Sequence, residues 1–335
     1  MEERPDGIED PDVRHALDAW GIDPVTWEYA PVGFGDYHWT AADTRGRRWF
    51  VTVADLTRKS WYGDGTEAAF QGLRDAMDTA AALRDAEPHG LDFVVAPARN
   101  ADGGTVRRLG SGHAVSVFPL MSGTPGHFGD TLTAHDRGLM VELLAKLHRT
   151  APPPSARVLP AAFATRPQLD AALREMGGPW DGPGPYAEPA RRLLLDHATA
   201  LRGRLGEFDR LAGELKDGGG PLVITHGEPH PGNVLRVGER RLLLDWDTVG
   251  LAVPERDLWL VAEGPADLAR YEEAGGRGPD PSALALYRLR WALNDVAEFL
   301  DVLRAPHGRT PDIEQAWRAL AGTVESLAAG AQGRS

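Results

Sequence analysis

The spacing of apolar positions changes more than once along the chain. Val13, Ala16, Leu17 and Trp20 recur near every 3.6 residues, which predicts a short helix from Asp10 that Gly21 stops. Trp27–Val32, Tyr37–Ala41 and Arg48–Ala54 are aromatic and β-branched runs parted by GFGD and DTRG. They predict a three-stranded antiparallel meander with glycine-bearing turns. Helical spacing returns from about Thr66 to Glu87 through Ala69, Phe70, Leu73, Met77, Ala80 and Leu83. Phe93–Ala96, Thr105–Leu109 and His113–Phe118 read as further short strands, and Pro119 with MSGTPG closes this half. An order of hairpin strands around one helix excludes a doubly wound parallel sheet.

The remainder is helical apart from one island. Leu139, Leu143, Leu144 and Leu147 mark a helix over Asp136–His148, and APPPSARVLP then breaks the pattern as a connector. A longer stripe from Leu194 to Leu215 predicts a helix over Glu188–Asp217 that packs on neighbouring helices. In the island, Leu222–Thr225 is a strand, HGEPHPGN a loop, Val234–Val237 a strand, GER a turn, and Arg241–Leu244 a strand running into DWD. Three helices are expected to close the chain, the clearest over Leu284–Leu303. The expectation is an α+β fold in two lobes. Residues 1–121 form a small antiparallel-sheet lobe and residues 122–335 a mainly helical lobe that carries the island.

A length of 335 residues suits two domains or one two-lobed domain. With 49 acidic and 36 basic side chains the formal charge is −13, which gives no electrostatic reason to bind nucleic acid or an anionic membrane. It would attract a cationic small molecule. The absence of cysteine excludes disulfides, thiolate zinc sites and cysteine nucleophiles. The acidic first residues lack an apolar run, and no stretch approaches the ~18 apolar residues of a membrane span, so a cytoplasmic protein is expected. Lysine stands only at Lys59, Lys146 and Lys216, which limits any chemistry that needs one.

The island concentrates the chemistry. Strand ends and a turn can bring Glu228, Asn233 and Asp245 together, and two acids with an amide oxygen suit Mg²⁺ rather than zinc. Phosphoryl transfer needs little else: one carboxylate to orient the attacking hydroxyl, and an amide and an acid to hold metal against phosphates. A hydrolytic metal site from His226, His230 and Asp247 would need the two histidines on one helix face, which Pro229, Pro231 and Gly232 forbid.

HGEPHPGN followed by LLLDWD and PERDLW closely resembles the catalytic segment of the aminoglycoside phosphotransferase family, which shares the protein-kinase fold. The meander is similar to the kinase N-terminal lobe, and LLAKLHRT to the helix opening the helical lobe. The resemblance implies transfer of the γ-phosphoryl of ATP or GTP, with Mg²⁺, to a hydroxyl of an antibiotic-like acceptor. It places Glu228 where the family has its catalytic aspartate, Asn233 and Asp245 at its metal ligands, and Asp247 as a further acid beside the metal. His226 stands at the histidine that frames the loop and is grouped with the catalytic residues, and Asp257 at the acid that steadies the loop. Gly33, Phe34 and Gly35 stand where kinases cover the phosphates, and Pro119, Leu120 and Met121 where the backbone meets the nucleobase.

Two departures matter. The third strand has Thr52 where the family usually has lysine, so Lys59, just past that strand, is expected to swing into the role, with Glu67 as its partner. A solvated loop lysine fits the same position. Glu228 replaces aspartate, and its extra methylene moves the carboxylate by about 1 Å, which a largely dissociative transition state can tolerate. For the acceptor, Asn294, Asp295, Glu298 and Asp301 share one helix face, which suits either ammonium groups of an amino-sugar or aminocyclitol, or plain solvation. The expected partner is thus a small, hydroxylated, cationic molecule. A biosynthetic kinase of another natural product and a nucleotide-binding pseudokinase fit the same motif.

Overall fold

The computed structural model describes residues 1–86, 90–180, 184–218 and 220–332. The chain forms two compact units. One comprises Met1, Glu3–Leu159 and Gly220–Asp280, the other Glu2, Pro160–Gly219 and Pro281–Ser335. The antiparallel sheet and the island therefore belong to one unit, and the three longest helices to the other.

In the first unit, α1 (Asp10–Ala16) tightens into a 3-10 turn at Leu17–Trp20 and stops at Gly21, whose φ of 60° lies in the left-handed region. A five-stranded antiparallel sheet follows, built of β1 (Pro24–Ala30), β2 (Tyr37–Asp43), β3 (Arg48–Asp55), β4 (Val106–Leu109) and β5 (His113–Pro119) in the order β1-β2-β3-β5-β4. Alternation sorts its faces. Trp39, Val51, Val53, Val115 and Val117 are fully buried against Val13, Ala16 and Leu17, leaving His38, Phe50 and Thr52 on the other face. The helix α2 spans Gly65–Asp85; its expected last residue, Glu87, lies outside the described residues.

Phe93–Ala96 is not a strand of this sheet. It makes a single parallel bridge, Val94 with Leu243, and so extends the island rather than the meander. The island divides in two. The strands β6 (Thr124–Pro125), β8 (Val234–Val237) and β9 (Arg240–Leu243) form one antiparallel sheet, and β7 (Val223–Thr225) with β10 (Gly250–Ala252) another. The end of the expected connector also pairs: Leu159 donates its N–H to Leu251, and Leu251 donates to Arg157. Helices α3 (Ala134–His148), α6 (Glu255–Val261) and α7 (Pro265–Glu273) complete this unit.

The second unit is a helical assembly of α4 (Arg166–Glu175), α5 (Ala187–Gly218), α8 (Pro281–Arg304) and α9 (Pro311–Gln332). Its core runs through Leu169, Leu194, Leu201, Leu293, Val296 and Leu320. Four helices rather than three follow the island among the described residues, because Gly264 and the GGRGPDP loop cut the first part into two short pieces. The short α4 carries too few apolar positions to announce itself by periodicity.

Gly126 shows how tightly the unit is assembled. Its N–H donates to Val234 (3.1 Å), and a Cβ there would strike the Pro231 carbonyl. Gly126→Ala is therefore expected to cost about 1–3 kcal/mol, or several degrees of Tm. Gly203→Ala in α5, where nothing lies within 4 Å of the new Cβ, is expected to hold or raise Tm. Thermal melts followed by circular dichroism compare the two.

Candidate active site

Local chemistry shapes the DWD turn first. Trp246 is fully buried, donates Nε1–H to the Leu243 carbonyl at 2.9 Å and meets the His226 ring edge-on at 4.6 Å. Anchoring the central residue leaves the two flanking acids on the opposite side. Asp245 adopts a φ of 57°, the left-handed region, which costs a non-glycine residue about 1–3 kcal/mol and marks an over-determined position.

The HGEPHPGN loop is fixed by its backbone. Asp257, buried at the start of α6, accepts N–H bonds from His226 (2.8 Å) and Gly227 (2.6 Å) and a bond from His148 Nε2 (3.0 Å). The Tyr271 hydroxyl lies 2.7 Å from His148 Nδ1, extending the network into α7. Burial alone would raise Asp257, but the His148 hydrogen bond and the nearby Arg256 charge hold it below the ordinary carboxylate value. Gly227, at φ 102°, leaves no room for a Cβ against the Arg256 guanidinium, which itself bonds Thr225 Oγ1 and the Thr248 carbonyl at 2.8 Å each.

His226 is corrected by this geometry. It is fully buried; Nε2 donates to the Leu244 carbonyl (2.8 Å) and Nδ1 accepts the Glu228 N–H (3.2 Å). Desolvation lowers its pKa, consistent with that neutral tautomer. Both nitrogens are spent inside the loop, so His226 frames Glu228 and has no atom left for a substrate. Asn233 closes the loop: its Nδ2 donates to the Glu228 carbonyl (3.0 Å) and lies 3.3 Å from His230 Nε2, while the Leu244 N–H reaches the Asn233 carbonyl at 2.9 Å.

Lys59 follows a 3-10 turn at the end of β3 and is 5% exposed. Its Nζ lies 2.8 Å from Asp247 Oδ2 and 3.1 Å from Asp36 Oδ2. Burial would lower its pKa, but those two acids hold it well above the ordinary lysine value. Tyr62, from the next turn, donates its hydroxyl to the Asp247 carbonyl. The expected partner Glu67 is elsewhere: it is exposed and pairs with Arg108 across α2 and β4. Asp247 and Asp36 take the Lys59 ammonium, and Arg108 takes Glu67. Thr52 bonds His38 Nδ1 (3.1 Å), whose ring stacks on Phe50 and which burial drives down to about 3.

The glycine loop spans β1 to β2 with Gly33 at φ 71° and Gly35 at φ 108°, and leaves Phe34 at 42% exposure. Pro119 ends β5 opposite Trp49, the Leu120 N–H donates to Arg48 at 3.0 Å, and Met121 is exposed. Desolvation and then the charges of Asp247, Glu228 and Asp36 push Asp245 well above the usual carboxylate range. Its side chain is open to solvent, so the surrounding carboxylates are the weightier cause. Among the described residues no three His, Asp or Glu side chains form a ready metal cluster. Mg²⁺ does not need one, since it usually takes one or two carboxylates with waters and phosphates. An amide whose nitrogen is engaged, offering Oδ1, beside an acid crowded by other acids is a donor set that fits it. Asp247 differs: its Oδ2 is committed to Lys59.

Sequence reasoning missed Asp36, Tyr62, His148 and Tyr271. Asp36 had a signal, since an acid inside a loop read as phosphate-covering demands a cation of its own. Asp295 and Glu298 lie on α8 in the second unit. Asn294 bridges Thr165 Oγ1 and Glu298 Oε1 at 2.8 Å each, and burial together with Glu298 raises Asp295 to about 8. Asp295 is thus not part of a plainly solvated face.

Asp257→Asn is expected to cost about 3 kcal/mol, because an amide cannot serve three donors at once in a buried site. Thermal melts read that loss.

Residues 32–287 match the phosphotransferase enzyme family. Protein StrN of Streptomyces griseus is 30% identical over 245 residues, covering 69% of this chain and 71% of that protein. Among solved structures, spectinomycin phosphotransferase APH(9)-Ia, in complex with ADP and spectinomycin, superposes with a TM-score of 0.71 at 17% identity, covering 97% of this chain and 99% of its own. The amicoumacin kinase hAmiN, in complex with AMP-PNP, Ca²⁺ and Ami, gives 0.61 at 14% identity, over 96% and 93% of the two chains. The fold is the protein-kinase-like one of these enzymes, and the chain belongs to the phosphotransferase enzyme family.

Proposed function

We propose that this chain transfers the γ-phosphoryl group of ATP or GTP to a hydroxyl of a small, cationic, antibiotic-like molecule in the cytoplasm. In this reading residues 1–121 cover the nucleotide and residues 122–335 supply catalysis and acceptor binding. The observation that carries it is the Asp36–Lys59–Asp247 knot. One buried ammonium ties the glycine loop to the turn bearing Asp245, where a triphosphate would need a cation. The acceptors named with the spectinomycin and amicoumacin kinases support an antibiotic-like substrate.

Glu228, half-buried and fixed at both backbone ends, orients the acceptor hydroxyl and receives its proton. The hydroxyl oxygen bonds to the γ-phosphorus as the bond to the β-bridging oxygen breaks, and the nucleoside diphosphate leaves. Asp245 and the Asn233 amide oxygen would hold Mg²⁺, which neutralises phosphate charge when bound. Asp247 keeps Lys59 pointed at the phosphates in place of the absent strand lysine, and Gly33, Phe34 and Gly35 lie over them. Pro119, Leu120 and Met121 face the nucleobase edge. Asp257 keeps the loop in shape through its bonds to His226 and Gly227.

Asp295 and Glu298 are assigned to an acceptor ammonium because they are half-buried acids three residues apart on α8, close enough to face one cation together.

Incubation with Mg²⁺, ATP or GTP and a panel of hydroxylated antibiotics tests the reading; phosphorylated product is expected. Asp245→Asn is expected to abolish turnover with cooperative unfolding retained, and Lys59→Ala to raise the nucleotide KM or lower kcat at least about tenfold. Nucleotide binding with no transfer to any acceptor would favour a pseudokinase. For Asp295, a folded pKa near 8 against an unfolded value near 3.8 means the folded state takes up a proton between them. Stability from this group is therefore lost as pH rises through that window. Asp295→Asn is expected to gain more Tm over the parent at pH above 8 than at pH near 5, while weakening a cationic acceptor; melts across pH and acceptor KM check both.

A further inference from the structure

His127–Asp130 forms a turn that presents an aromatic side chain to solvent. The Asp130 N–H donates to the His127 carbonyl (3.2 Å), the Asp130 carboxylate accepts the His127 N–H (2.8 Å), and Gly129 holds φ 85°. Glycine with positive φ at the third position is the type II pattern, which puts Phe128 at the outer corner. Phe128 is 70% exposed, so it contributes little to a core. Its ring meets that of His230 edge-on, with centroids 5.1 Å apart.

The turn is set firmly beside the catalytic loop. It follows β6, which pairs with β8 immediately after Asn233, and Gly126 abuts the Pro231 carbonyl. His230 is two residues beyond Glu228, and its Nε2 lies 3.3 Å from the Asn233 amide. An exposed phenylalanine held by a fixed turn against this loop has a surface to offer and no packing role that requires it.

We infer that Phe128 and His230 form an aromatic wall beside Glu228, against which the acceptor lays the C–H face of a saturated, hydroxyl-bearing ring. The inference rests on the phosphotransferase reading above and adds the kind of surface the acceptor must show. Aromatic faces and edges bind apolar C–H groups without fixing their polar decoration. The wall sets the height of the ring over the loop, and the hydroxyl presented to Glu228 follows from that height. A linear, charged acceptor with no such face gains nothing from it.

The test compares the full chain with Phe128→Ala and Phe128→Trp on an acceptor that the parent phosphorylates. Phe128→Ala is expected to raise acceptor KM about tenfold, with the loss in KM rather than kcat and the nucleotide KM held. Phe128→Trp is expected to restore acceptor KM, which a merely structural role would not produce. Melts of both variants are expected to match the parent, as an exposed corner predicts. An unchanged acceptor KM in Phe128→Ala overturns the wall while leaving the transferase reading standing. So does a loss that falls equally on nucleotide KM, or one that Phe128→Trp fails to restore. A parent chain that phosphorylates no acceptor in the panel overturns both.

Discussion

One buried ammonium organises the charged side of this molecule. Asp36, Asp245, Asp247 and Glu228 belong to three separate segments, and each of the other three acts electrostatically on Asp245. Four carboxylates that close repel, and Lys59 is the cation bonded directly to two of them. It reaches them because β3 ends in two successive 3-10 turns, which fold the chain back within seven residues of Asp55. The same turns bring Tyr62 to the Asp247 carbonyl, so that acid is gripped by side chain and backbone alike. Without this knot the glycine loop and the DWD turn would carry like charges toward each other with nothing between them. Breaking one partner of such a buried pair typically costs about 3–5 kcal/mol.

A second, less exposed network lets that crowding persist. Trp246 sinks into the core between two acids that stay outside, and His226 packs on its ring. Asp257 then holds the loop backbone through two N–H bonds, itself oriented by His148 and Tyr271 from two other helices. Backbone fixed in this way over-determines the left-handed Asp245 and keeps acids together that would otherwise part. The two networks divide the work: the Asp257 network holds the backbone in shape, and buried Lys59 holds the half-exposed acids Asp36 and Asp247 together.

Much of this was legible from residue order, and the part that was not has physical reasons. Strong periodicity gave the meander, α2, α5 and α8 within a few residues of their ends, because long amphipathic patterns leave little choice. Phe93–Ala96 misled because an apolar run says that a segment is extended and buried, not which sheet it joins. The loop of the island was readable because the prolines and glycines of HGEPHPGN forbid a longer helix there. Partners were harder. Nothing local marks Lys59 as bound by Asp36 and Asp247 rather than Glu67, since that depends on which carboxylates two turns deliver. His148 sits at the end of α3, a helix buried along most of its length, and only the fold shows that its ring reaches Asp257.

Glutamate in place of aspartate at residue 228 becomes intelligible in this setting. A longer side chain has one more rotatable bond, and freedom at a positioned carboxylate ordinarily costs orientation. Here the backbone of residue 228 is pinned on both sides, its N–H on His226 and its carbonyl on Asn233, so the added freedom is confined to the side chain. A loose, dissociative transfer asks for position and charge more than for strong proton abstraction. On the proposed transferase reading, a carboxylate that can extend about one bond length farther from a rigid base would reach an acceptor standing off from the loop. A ring held away from the loop by a neighbouring side chain would stand at such a distance. In that reading the extra methylene and the rigid backbone beneath it would act as one device, in which the loop supplies precision and the side chain supplies reach.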